Sequence, residues 1–331
     1  MCMNAFKGGK GLHINGETRL IAIIGNGVRY SGSPVVHNAV FEKMGYNFAY
    51  IPFDIERENL EEAVRGMKAL GFLGFTVASP FKTQILPYLD EISEVAEIMG
   101  AVNTVVIQNG RLLGDNADGS AFMRTLVLNG VNILGRKITV LGSGGAGSAV
   151  VTQAALDGVA QIDVFNAKDE FFESGQALIE RLKEHSSCAI HIYDLADTDQ
   201  LRASLAESTL VLNATLAGSE QHPESLLDES YLHDGLIVAD TTYLPCETQL
   251  IKMARNHGNK VINGAGIFVQ QAAMAERLWI GREMPIDYVM ETFFLHQEDH
   301  QVGLCQDDLY QGGVHQGGSL QGDFRQGDAE F

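Results

Sequence analysis

The sequence predicts an α/β protein of two domains, an N-terminal α/β domain followed by a doubly wound one, and three observations carry the prediction. A chain of 331 residues exceeds what one ordinary core accommodates. From Leu134-Gly135 onward, short apolar runs alternate with amphipathic ones, the pattern of a parallel sheet covered on both faces. Third, Gly142-Ser143-Gly144-Gly145-Ala146-Gly147 follows the apolar run Ile138-Thr139-Val140-Leu141 and opens a helical stretch over 148–156. That strand, turn and helix context makes G-x-G-x-x-G a dinucleotide fingerprint, against the competing reading of a glycine turn without a ligand. Gly142 would make the tight turn, Gly144 would admit a pyrophosphate, and Gly147 would let helix and strand pack closely. Residues 1–136 precede the fingerprint, so a substantial first domain exists, and the substrate is expected there.

The elements follow in order. Residues 19–25 form an apolar strand ending in glycine. Residues 34–44 have helical spacing, with Ser33 placed to cap the helix and Pro34 at its first position. Residues 47–55 read as a strand and 60–70 as a helix, and the short strand 74–78 stops at Ser79-Pro80. Residues 92–99 are helical, and 102–107 with 111–113 make a hairpin across Gln108-Asn109-Gly110. In the second domain strands fall near 137–141, 161–165, 189–193, 209–212, 236–239 and 260–262, with helices such as 173–183 and 249–256 between them. Further helices cover 267–279 and about 286–296.

The expected organisation is an N-terminal extension over 1–17, a substrate domain over 18–118 completed by helices within 267–297, and a dinucleotide domain over 119–266. From Gln301 a glutamine recurs at Gln306, Gln311, Gln316, Gln321 and Gln326. Six such units are too few to bury a solenoid core, so 298–331 reads as a disordered low-complexity tail.

Composition excludes several classes. At 45% hydrophobic and 20% charged, the chain is that of a globular protein. No apolar run approaches the roughly 18 residues of a membrane span, and the N-terminus lacks the apolar stretch of a secretory signal. The four cysteines are scattered and form no CxxC pair, so they read as reduced cytoplasmic thiols, and no metal site is expected. A net charge of −19 argues against nucleic acid and anionic membrane as partners. A polyanionic cofactor must then be held by local groups such as backbone N–H at a helix start.

Six further motifs, in order, resemble the shikimate dehydrogenase family, including its quinate/shikimate branch. They are Ser31-Gly32-Ser33-Pro34 with His37-Asn38, Thr76-Val77-Ala78-Ser79-Pro80-Phe81-Lys82, Gly100-Ala101-Val102-Asn103-Thr104, Asn116-Ala117-Asp118-Gly119, the segment from Asp240 through Tyr243 and Pro245 to Thr248, and Val269-Gln270-Gln271-Ala272-Ala273 with Leu278-Trp279. The resemblance covers about 20–296. It implies an N-terminal substrate domain joined to a Rossmann domain, and reversible NAD(P)-dependent oxidation of a ring hydroxyl of shikimate or quinate to the 3-dehydro ketone, a step of aromatic amino acid biosynthesis.

The resemblance also implies roles for single residues. Lys82 is the acid/base, with Asp118 beside it; without the family, Lys82 reads as an exposed surface lysine. Ser31 and Ser33 would meet the substrate carboxylate, Asn103 a ring hydroxyl, and Tyr243 and Gln271 line the pocket. Phe268 and Trp279 read as core and His37 as structural. Three positions depart from the family pattern: Thr76 and Ala78 stand for its asparagine and threonine, and Ala117 for a second threonine. Ala78 removes a hydroxyl used on the ring polyol, so a related acid such as aminoshikimate stays open as substrate. A non-catalytic ligand sensor stays open as well.

Cofactor contacts are expected from Gly142, Ser143, Gly144, Gly145, Ala146 and Gly147, from Asn166, Lys168 and Asp169, from Asn213 and Thr215, and from Gly264. NADP-preferring members carry arginine where this chain has Ala167. Asp169 lies about 20 residues past the fingerprint, where a carboxylate bonds the ribose 2′-hydroxyl. NAD is therefore favoured over NADP, with Lys168 keeping NADP open and helix capping as the other reading of Asp169. The expected partner is a small cyclic hydroxy acid, and a homodimer is one option for assembly.

Overall fold

The structure is a computed structural model that describes residues 13–295. The glutamine-repeat tail and most of the N-terminal extension lie outside the described residues. The rest forms two six-stranded sheets.

The first sheet is mixed. β1 (Arg19–Gly25) lies parallel between β2 (Phe48–Asp54) and β3 (Gly74–Val77). Beyond β3 come antiparallel β5 (Thr104–Gln108), then β6 (Arg111–Asp115), then the short β4 (Glu91–Ile92). The β5–β6 turn has positive φ at both Asn109 and Gly110, the hairpin geometry that an Asn-Gly pair favours. One face of this sheet packs on α2 (Leu60–Ala69) through Leu60, Val64 and Met67. The other face packs Ile21, Ile23 and Tyr50 against Phe41 of α1 (Ser33–Met44) and Ala275 and Trp279 of the returning α9 (Gly264–Ile280).

The second sheet is wholly parallel, in the order β12 (Val261–Ile262), β11 (Ile237–Asp240), β10 (Leu210–Asn213), β7 (Lys137–Leu141), β8 (Gln161–Asn166), β9 (Ala189–Asp194). The order reverses between β7 and β10, which places the switch-point crevice at the end of β7. α4 (Asp118–Leu128), α5 (Gly145–Asp157) and α6 (Glu170–Leu182) cover one face; α7 (Thr198–Glu207) and α8 (Gln249–His257) cover the other. A continuous apolar run such as Leu210-Val211-Leu212, wholly buried, suits a strand covered on both sides.

α4 packs on both α5 and α9, so it joins the two halves. Arg181 near the end of α6 fastens them again. It donates Nε to the Ile98 carbonyl at 2.8 Å and Nη2 to the Met99 carbonyl at 3.2 Å, closing the C-terminus of α3 (Glu94–Met99).

Three expectations change. Ser33 is the first residue of α1 rather than its cap: the N-cap is Gly32, and the Ser31 hydroxyl accepts the Ser33 N–H at 3.2 Å. α9 starts at Gly264, earlier than expected, because the Asn263 side chain accepts the Gly266 N–H and caps it. The last helix is α10 (Ile286–Met290), followed over Glu291–Leu295 by a wider π turn; His296 lies outside the described residues.

Candidate active site

Three segments far apart in the chain deliver the catalytic candidates. Lys82 sits in the turn after β3, Asp118 opens α4, and Gln271 lies in the first half of α9. Lys82 Nζ donates to Asp118 Oδ2 at 2.6 Å, and Gln271 Nε2 donates to Asp118 Oδ1. The Lys82 carbonyl accepts the Val102 N–H at 2.8 Å, which fixes the turn against the Asn103 segment. The pair is sheltered without being sealed, with side chains 23% and 12% exposed. An ammonium and a carboxylate held together at an open edge can exchange a proton with a hydroxyl placed against both.

Asn103 is buried, and its Oδ1 accepts from the Thr104 hydroxyl at 2.8 Å and from the Ala117 N–H at 3.1 Å, one residue from Asp118. Its Nδ2 is the one buried side-chain polar atom among the described residues with no partner. Leaving such a donor bare costs about 1–3 kcal/mol. A ring hydroxyl would supply the acceptor.

Ser31, Ser33 and Tyr243 come together around Gly32. Burial pushes the Tyr243 phenol up, and a hydrogen bond with the Gly32 backbone amide opposes the rise. The Tyr243 ring stacks on Phe268 at 4.5 Å, and Phe268 and Gln271 are three residues apart on α9, hence on one face. α9 therefore links the serine cluster to the lysine pair. Ala78 packs against the apolar cluster of Ile21, Ile23 and Tyr50. The Thr76 hydroxyl accepts from the Tyr50 phenol at 2.7 Å; burial pushes that phenol up, so it stays a donor.

The glycine turn forms the facing wall. Gly142 has φ +96°, and a Cβ on Gly147 would lie 2.0 Å from the Gly142 carbonyl oxygen, so α5 can approach β7 this closely only as glycine. Its N-cap, Gly144, offers no side-chain cap, and a Cβ there would meet open space. The first amides of α5 are thus left for an anion, which fits a dinucleotide pyrophosphate. A Cβ on Gly145 would be 3.9 Å from Lys82 Nζ, so the turn abuts the lysine.

At the tip of β8, Asn166 Oδ1 accepts the Ser143 N–H at 2.9 Å, and its Nδ2 donates to Asp169 Oδ1 at 2.8 Å. The same Asp169 oxygen caps α6, accepting from Phe171 and Phe172. The capping reading of Asp169 is therefore what the structure displays. Lys168 Nζ lies 3.5 Å from Asp194 Oδ2. The Asn213 side chain is engaged internally, with Thr215, Ala217 and Asp240, and shapes the loop after β10. Gly142 packs on Thr215 and Ala214, and Gly264 on the Thr241–Thr242 backbone.

Residues 23–105 match the family model for the shikimate dehydrogenase substrate binding domain. The chain is 40% identical over 283 residues to shikimate dehydrogenase (NADP(+)) of Listeria monocytogenes, covering 85% of this chain and 97% of the relative. The chain belongs to the shikimate dehydrogenase family. Among solved structures of that family, Listeria monocytogenes shikimate 5-dehydrogenase in complex with shikimate and NAD superposes with a TM-score of 0.82 at 40% identity, covering 85% of this chain and 98% of that one. Quinate dehydrogenase from Corynebacterium glutamicum in complex with NAD gives 0.76 at 32% identity, covering 83% and 98%.

Sequence reasoning missed several neighbours of this shikimate dehydrogenase family site. Buried His37 is structural, as expected, but its partner Glu276, 2.8 Å away and equally buried, was not foreseen. The signal was there: Glu276 falls on the buried stripe of α9 with Ala272 and Trp279, where a charge needs a partner. Arg124 Nε donates to Gln270 Oε1 at 3.1 Å, tying α4 to α9 beside Gln271. Asp240 is fully buried; burial pushes its carboxyl up, against bonds from Thr242, Thr248 and Asn213. Among the described residues no helix is long and apolar enough to cross a membrane.

Proposed function

We propose that this chain is a cytoplasmic shikimate/quinate-type dehydrogenase that interconverts a ring hydroxyl and a ketone on a hydroxylated cyclic carboxylate. The observation that carries the reading is the Lys82–Asp118 pair set against the glycine turn. Bound NAD(P) supplies the acceptor for the hydride that leaves the carbinol carbon. As the neutral amine Lys82 takes the hydroxyl proton during oxidation, becoming the ammonium that Asp118 holds, and as that ammonium it returns the proton to the ketone oxygen during reduction. Asp118 holds the lysine with one oxygen and is itself held by Gln271 through the other. Asn103 Nδ2 donates to a neighbouring ring hydroxyl, while Ser31, Ser33 and Tyr243 receive the carboxylate.

The amides at the start of α5 hold the pyrophosphate, and the Asn166–Asp169 corner holds the adenosine ribose. With Ala167 in place of an arginine and Asp169 beside it, NAD is favoured over NADP. A second reading keeps the chemistry and shifts the substrate: Ala78 and buried Ala117 present methyl groups where the family pattern has hydroxyls, which suits a related acid such as aminoshikimate. A homodimer is the assembly we favour, checked by mass in solution.

The test is a matrix of shikimate and quinate against NAD and NADP, run on wild type and Lys82→Ala. We expect turnover in the wild type and a fall in kcat of about 10²–10⁴ in the variant. Full activity in Lys82→Ala sinks the mechanism. Wild type inert with all four pairs overturns shikimate and quinate as substrates.

A further inference from the structure

The lysine of the turn after β8 is already paired. β8 and β9 run in parallel register with Asn166 opposite Asp194, the last residue of each strand. Lys168 follows two positions after Asn166 and reaches back to Asp194, Nζ to Oδ2 3.5 Å. From Ala167 to Glu173 the chain reads Ala-Lys-Asp-Glu-Phe-Phe-Glu, so Lys168 is the one cation of that stretch. Asp169 lies beside it with its Oδ1 fixed by three N–H donors, and Glu170 and Glu173 occupy the first turn of α6.

A 2′-phosphate needs cationic donors around it, and arginine or lysine usually supplies them. Here the lysine would first have to leave a carboxylate, and that carboxylate would remain beside the phosphate. A 2′-hydroxyl makes neither demand. We propose that Asp194 is a specificity-determining residue: by holding Lys168 it denies the site the cation that a 2′-phosphorylated cofactor requires. This rests on the reading above that the glycine turn takes the dinucleotide with its adenosine at the tip of β8.

The pair is largely exposed, with Lys168 at 70% and Asp194 at 30%, so the effect is modest. Exposed ion pairs of this kind correspond to about 1.5- to fivefold in an equilibrium constant. The test is a double-mutant cycle on the full chain, with Asp194→Asn, Lys168→Ala and the double variant. Dissociation constants for NAD and NADP are measured by calorimetry, alongside kcat/KM for both. Asp194→Asn raises the NADP-to-NAD preference about 1.5- to fivefold, and the gain disappears in the Lys168→Ala background. An unchanged ratio in Asp194→Asn overturns the proposal. So does an equal gain without Lys168, because Asp194 would then act through its own charge alone. If wild type binds neither dinucleotide, the reading of the site fails first, and calorimetry separates that failure from an unchanged ratio.

Discussion

The proposed dinucleotide end, the glycine turn with the tip of β8, is built from one stretch of chain, whereas the proposed catalytic end is gathered from three. Ser143 and Asn166 are 23 positions apart, and Asn166 and Asp169 only 3. Lys82 and Asp118 are separated by 36, and Gln271 and Asp118 by 153. The first region rests on a tight turn, a close helix and amides left without a side-chain cap, braced by the local Asn166 and Asp169 side chains. The second works through side-chain atoms whose positions depend on α4 and α9 packing together. A substitution should therefore injure one region and spare the other, according to which kind of atom it moves.

The largest expected effect is at the catalytic end. Asp118→Asn keeps the shape but removes the charge that holds Lys82, and kcat falls by about 10²–10⁴. The dinucleotide dissociation constant, which the proposed function assigns to the glycine-turn region, is expected to change far less. Stopped-flow turnover and calorimetric titration on the same sample check this. A kcat within a few-fold of wild type would break the division of labour between the two regions.

The converse break is Gly147→Ala. Its Cβ would stand 2.0 Å from the Gly142 carbonyl oxygen, and backbone cannot rotate away as a flexible side chain can. The turn must open, which costs about 1–3 kcal/mol of overpacking strain and weakens dinucleotide binding. Thermal unfolding and NAD titration read both effects. Binding as tight as wild type would mean that the approach of α5 to β7 does not shape the phosphate site.

This contrast also explains what the sequence made legible. The strand–glycine–helix unit, the alternating pattern behind the parallel sheet and the Asn109-Gly110 hairpin are local, and each was readable from a few residues. α4 was not, since Asp118-Gly119-Ser120 looks like a turn and the helix is held by packing on α5 and α9. The His37–Glu276 pair, 239 positions apart, and the Arg181 clasp on α3 are long-range contacts that no periodicity encodes. At the site, the ordered motifs named Lys82, Asp118, Asn103 and Gln271. The bond from Gln271 to Asp118, the bare Asn103 donor and the tie between Lys168 and Asp194 needed three dimensions. Asp169 shows the limit most clearly, because one carboxylate suited both a cap and a ribose ligand.

The smallest effect tests whether a buried charge cluster outside the cleft is structural only. Asp163, in the middle of β8, is 1% exposed, and Ser204, Gln161, Lys137 and His191 surround it. Burial pushes its carboxyl up, yet the hydrogen bonds from Ser204, Gln161, Lys137 and His191 outweigh burial and hold it below the usual carboxylate range. A folded-state value below the unfolded one, about 3.9, means that the unfolded chain binds the proton more readily. The cluster therefore contributes stability above the unfolded value, and that contribution is lost as pH falls through the folded one. Wild-type Tm should drop between about pH 5 and pH 3, and Asp163→Asn should flatten that part of the profile. Turnover near neutral pH should hold, since Asp163 lies below the Asn166 tip where β8 meets the cleft. An equally steep Tm profile in the variant would show that acid lability resides in other carboxyls held below the usual range, such as Asp54 beside Arg29, and not in Asp240, whose raised carboxyl has the opposite sign.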